Sequence, residues 1–178
     1  MYELFLLGKL MERPWHGYEF QRVLSSVLGP VRQVSWGTIY PLLRRMERTG
    51  LIERVSNGAE TEDRRGRQHY AITPLGRERF FELMQAEQRN DADYRDTFRI
   101  KVGNFSRVEA VVRRTIVRRY LGLLGAISTH AEAMSKRVAK LPEMPDPDRA
   151  CILLSLAHDR FLAESDLEWV QEQMAQFL

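Results

Sequence analysis

With 178 residues, a mass of 20.8 kDa and 44% hydrophobic residues, the chain can build one medium core or two small ones, which excludes a largely disordered chain. A single cysteine, Cys151, excludes an internal disulfide framework and a thiolate zinc cluster, and reads as a small apolar helix residue. The apolar run Leu4 to Leu7 is far too short to span a bilayer or serve as a signal peptide, so no membrane partner and a soluble cytoplasmic protein are expected.

The net charge of +3 is unevenly placed. Residues 1 to 83 hold 13 Lys+Arg against 10 Asp+Glu, whereas residues 84 to 178 hold 14 of each. Every basic residue from Arg13 to Arg99 is arginine, whose planar fork suits phosphates and guanine edges.

In chain order, "MYELFLLGKLMERP" is too densely apolar to be anything but a mostly buried helix, closed by Arg13-Pro14. A second helix is expected from about His16 to the Gly29-Pro30 stop. The third runs from Ser35 or Thr38 to Thr49, with Ile39, Leu42, Leu43 and Met46 as one apolar stripe. Pro41 belongs in a first turn, which favours Thr38 as N-cap, and Gly50 suits the left-handed position after the helix. "LIERVSN" and "RQHYAIT" then read as two strands joined by a long charged tip, followed by a helix after Thr73-Pro74.

The second half reads as wholly helical. Ser106 and Glu109 are spaced as a capping box, and a stripe from Val108 to Leu141 steps by threes and fours. "PEMPDPD" is a turn, with Asp146 as expected N-cap, and the last helix runs almost to Leu178. That helix has two apolar stripes, and the second, with Leu154, Phe161 and Trp169, needs another surface, from which a homodimer is expected.

The expected fold is therefore mainly α: a winged helix-turn-helix of three helices and a two-stranded wing over residues 1–83, then a helical dimerisation and effector domain over residues 84–178. The third helix presents Thr38, Tyr40, Arg44, Arg45 and Arg48 opposite its apolar stripe, as a helix entering a major groove would. Arg64, Arg65 and Arg67 at the wing tip suit phosphate or minor-groove contact. The same arginines also fit an ordinary solvated, ion-paired face, and a winged helix also serves as a protein-interaction module without specific DNA binding. Apolar anchors on the outward face would mark the latter, and here that face is arginine-rich.

The four histidines, His16, His69, His130 and His158, lie on separate elements without zinc-helix spacing, and no nucleophile pair stands out. No enzyme activity, metal or cofactor is expected.

The segments "LLGKLMERPWHGYEF", "GTIYPLLRRMERTGLIE" and "RQHYAITPLGR", in this order and spacing, resemble the PadR family of bacterial transcriptional regulators. The resemblance is strong over residues 4 to 80 and weaker beyond. It implies a dimeric repressor that leaves a roughly palindromic operator in double-stranded DNA when a small molecule binds, with DNA contacts at Thr38, Tyr40, Arg44, Tyr18 and the wing. The wing departs from the family pattern: it is longer, acidic at Glu60 to Asp63, and has Gln68-His69 before Tyr70. A small aromatic effector is expected between the two domains, near Tyr94, Phe98, Tyr120, Phe161 and Trp169.

Overall fold

The computed structural model describes residues 1–29, 32, 34–55, 68–87 and 92–177. By packing, the chain divides into one unit of residues 1–86 and 92–108 and a second of residues 87–91 and 109–178. The first unit thus includes residues 84–86 and 92–108, beyond the boundary expected after residue 83.

The first unit begins with α1 (Tyr2–Leu10), whose Leu4 to Leu7 and Leu10 are all buried. A two-residue strand, β1 (Trp15–His16), leads into α2 (Gly17–Leu28). The N-terminus of α2 is closed by a capping box between His16 and Glu19, and Glu19 also pairs with Arg13 at 2.8 Å. That guanidinium holds the Glu19 carboxyl below the usual carboxylate range. Gly29, at φ 73°, ends the helix.

Helix α3 (Trp36–Arg48) buries Ile39, Leu43 and Met46 and leaves Leu42 half-buried. It starts earlier than a Thr38 cap allows: Ser35 is the N-cap, and its carbonyl accepts from the Thr38 N–H at 3.0 Å. Pro41 therefore lies inside the helix. It has no N–H to return to the Gly37 carbonyl, but both residues are exposed, so water can satisfy that acceptor. At the other end, Leu51 N–H donates to the Met46 carbonyl and Gly50 N–H to the Glu47 carbonyl. This is a Schellman motif, with Gly50 at φ 73° in the left-handed position expected of it.

Strands β2 (Ile52–Val55) and β3 (His69–Ile72) pair antiparallel, with Ile52 opposite Ile72 and Val55 opposite His69. β1 adds to the other edge of β3, pairing Trp15 with Tyr70 and His16 with His69, so the two wing strands belong to a three-stranded sheet. Helix α4 (Pro74–Gln85) is capped by Thr73, whose hydroxyl accepts from Gly76 N–H at 3.0 Å and donates to the Gly50 carbonyl at 2.6 Å. One hydroxyl thus ties the end of α3 to the start of α4. A short helix, α5 (Tyr94–Val102), and a single 3-10 turn (Phe105–Arg107) complete this unit. Arg32 anchors α5 by pairing with Asp93 and, at 3.1 Å, with Asp96.

The second unit is a helical hairpin of α6 (Ala110–Val138) and α7 (Asp146–Gln173). Ser106 does not form the expected capping box with Glu109. It sits in the 3-10 turn, extended Val108 separates it from the helix, and Glu109 is itself the N-cap without a side-chain cap bond. Likewise Pro145, not Asp146, is the N-cap of α7. Ile116, Val117, Tyr120, Leu124, Ala131 and Val138 of α6 are buried, facing Ala163 and Val170 of α7. Ser128 donates to Glu164 at 3.0 Å and Tyr120 to Asp166 at 3.1 Å across the hairpin. Cys151 is exposed on α7. Among the described residues no helix is long and apolar enough to cross a membrane.

Candidate nucleic-acid interface

The outward face of α3 follows from its helical period. Trp36, Tyr40, Arg44 and Arg48 recur every four residues, so they form one slowly turning ridge that starts at half-buried Trp36 beside the buried stripe of Ile39, Leu43 and Met46 and turns outward to Arg48. Thr38, Tyr40, Arg44, Arg45 and Arg48 are all exposed.

Their electrostatic situations differ. Arg45 pairs with Glu3 of α1 at 2.6 Å, and the other Glu3 oxygen holds Arg79 of α4 at 2.9 Å. That bond raises the Arg79 pKa above its already high value. Glu47 is occupied by Arg54 of β2 at 2.7 Å. Among the described residues, neither Arg44 nor Arg48 has an ion-pair partner. Glu3 and Glu47 are thus engaged by other arginines, and among the described residues the positive charge of Arg44 and Arg48 has no ion-pair partner.

Tyr18 opens α2, is 60% exposed, and stacks on Trp36 with ring centroids 5.5 Å apart at 24°. Trp36 meets Tyr40 at 5.3 Å and 36°. The structure therefore joins Tyr18 to the α3 ridge through a residue that the sequence reading passed over. The i, i+4 spacing of Trp36 and Tyr40 was a legible signal for half of this contact. Thr38 lies beside it, its hydroxyl 3.3 Å from that of Ser35.

Arg64, Arg65 and Arg67, assigned to the wing tip, lie outside the described residues. At the wing's base the rings of His16 and His69 approach to 3.5 Å between centroids, so two histidines far apart in sequence meet across β1 and β3. Burial, reinforced by the positive charge of His16 and Arg13 and opposed by Glu19, holds His69 below the ordinary imidazole pKa. Among the described residues no group of three or more His, Cys, Asp or Glu side chains is arranged to hold a metal ion.

The aromatic residues expected around an effector do not gather into one site within either unit. In the first, Phe98 is buried at 4% exposure and Tyr94 is half-buried on α5. In the second, Tyr120 is buried and bonded to Asp166, while Phe161 and Trp169 point outward from α7 at 65% and 51% exposure.

Residues 6–82 match the model of the transcriptional regulator PadR-like family. No curated protein sequence matches the chain. Among solved structures, it is similar to Bacillus subtilis PadR in complex with operator DNA, at 17% identity over 99% of this chain and 98% of that one, with a TM-score of 0.41. A PadR-like transcriptional regulator from Bacillus cereus is 22% identical over 97% and 99% of the two chains, with a TM-score of 0.42. The Vibrio cholerae virulence activator AphA is 20% identical over 99% and 97%, with a TM-score of 0.41.

Proposed function

From the match of residues 6–82 to the model of the transcriptional regulator PadR-like family, we propose that the protein is a dimeric, sequence-specific DNA-binding regulator that represses transcription and is released by a small aromatic effector. The observation that carries the DNA-binding part is the α3 ridge: exposed Tyr40, Arg44 and Arg48, with neither arginine neutralised among the described residues. An arginine fork on such a ridge can take O6 and N7 of a guanine, and a tyrosine hydroxyl can reach a phosphate or base edge. Glu3 and Glu47, by pairing with Arg45, Arg79 and Arg54, keep acidic charge off it.

Dimerisation is supported by α7, on which Leu154, Phe161 and Trp169 are exposed at 74%, 65% and 51%. These residues recur at spacings of seven and eight, so they form one outward apolar stripe suited to a second copy of the same helix. A two-fold pair calls for a roughly palindromic operator with half-sites about 34–36 Å apart, one helical turn of DNA. Repression and effector release are what the family resemblance implies; their readout is operator occupancy in the presence and absence of small aromatic acids.

The test of the DNA reading is selection from a randomised duplex pool with the full-length protein. Enrichment of a palindromic sequence supports it. Recovery of no sequence above background, with capture of a protein partner through α3 instead, would replace it with an interaction module.

A further inference from the structure

We propose that Trp36 is a positioning residue for operator discrimination: it joins Tyr18 of α2 and Tyr40 of α3 into one contiguous aromatic array, so that two helices present their tyrosine hydroxyls to DNA as a single rigid edge. This rests on the reading of α3 as the DNA-reading helix. Trp36 is the first residue of α3, directly after the Ser35 N-cap, and Tyr18 is the second residue of α2. The indole therefore stands where the two helix starts meet.

Its ring stacks on Tyr18 at 5.5 Å and meets Tyr40 at 5.3 Å with a 36° tilt, both centroid distances within the range of favourable aromatic pairs. Tyr18 and Tyr40 are respectively 60% and 49% exposed, and among the described residues the ring contact of each is with Trp36. An exposed tyrosine that swings freely loses rotamer entropy when its hydroxyl is fixed on DNA. A tyrosine already stacked on Trp36 has lost much of that freedom beforehand. The indole also sets the separation of the two hydroxyls, because both rings lean on the same side chain. Discrimination then depends on a residue that need not touch a base.

The experiment uses full-length protein and the duplex enriched from a randomised pool by the wild type, with a scrambled duplex as control. Trp36→Ala is expected to weaken the enriched duplex roughly three- to tenfold, the range an aromatic pair energy converts to, with the scrambled duplex changed much less. Trp36→Phe should restore most of the loss. Tyr40→Phe, which removes only a hydroxyl, should cost several-fold with Trp36 present and much less in the Trp36→Ala background, as should Tyr18→Phe. Trp36→Leu is carried alongside as a second ring deletion in case the alanine variant fails to fold. Unchanged discrimination in either ring-deleted variant, or equal tyrosine losses in both backgrounds, overturns the proposal while leaving DNA reading intact. A wild type that enriches no duplex overturns both.

Discussion

Arg45 of α3 closes a 2.6 Å ion pair with Glu3 of α1, while Arg44, one residue earlier, has no ionic partner among the described residues. Neighbouring arginines of the same helix are thereby divided between scaffold and surface. Arg44→Ala should cost about 1–3 kcal/mol in affinity for the selected duplex, the worth of a good base contact. Arg45→Ala should leave most affinity and lower stability by at most about 1 kcal/mol, since its side chain is 55% exposed and solvent screens the pair. Fluorescence anisotropy and urea denaturation measure the two losses, and the reverse pattern would reassign the arginines.

Gly76 meets the wing root so closely that a Cβ there would lie 2.0 Å from the Leu51 carbonyl oxygen and 2.8 Å from Ile72 Cγ1. Gly76→Ala should therefore destabilise the first unit by about 1–3 kcal/mol or more, the range for overpacking. Gly122→Ala, where a Cβ meets nothing within 4 Å, should be neutral or gain up to about 1 kcal/mol of helix propensity. Equal denaturation midpoints for the two variants would show that α4 can move away at no cost.

His69 predicts an acid-side loss of stability. Its folded-state pKa lies below the ordinary 6.5, mainly through burial, so the unfolded chain takes up the proton first as pH falls. The contribution is complete above the ordinary value and is lost as pH falls from there towards the depressed folded value. Glu19, held low by Arg13, gives way only in a separate window below the usual carboxylate pKa of 4.5. Urea midpoints between pH 7.5 and 5 should fall for wild type and flatten for His69→Gln. A midpoint that rises on acidification, or an unaltered slope in the variant, contradicts this account.

Phe161→Glu combined with Trp169→Glu should convert a dimer into a monomer with its helical content intact, because both rings are more than half exposed on α7. Burying one aromatic is worth roughly 1.5–3 kcal/mol, so the pair should weaken association by at least about 100-fold. Sedimentation equilibrium reads the mass. A monomeric wild type, or a double variant that remains a dimer, would remove this face from the assembly.

The parts of the architecture legible in the sequence were those governed by local rules. The apolar stripe of α3 follows helical period, and Gly50 after it marks a left-handed cap because glycine adopts that backbone without strain. What escaped depends on residues distant along the chain. β1 is two residues long, too short for any periodicity, and exists because β3 pairs with it from more than fifty residues away. The Arg45–Glu3 pair and the Tyr18–Trp36 stack likewise join separate elements, so no spacing rule announces them. The caps lie one to three residues from the side-chain expectation: α3 starts at Ser35 and carries Pro41 inside the helix, while α6 and α7 start from Glu109 and Pro145 without a side-chain cap bond.

The most direct test of DNA reading through α3 is the affinity of full-length protein for the selected and scrambled duplexes across a salt series. The account predicts a preference for the selected duplex that persists as salt rises, while both affinities fall log-linearly through counterion release. It further predicts that Arg44→Ala shrinks the preference, or lowers the slope by about one if that arginine meets phosphate instead. Equal affinity for the two duplexes at every salt concentration, unchanged by Arg44→Ala, would contradict it.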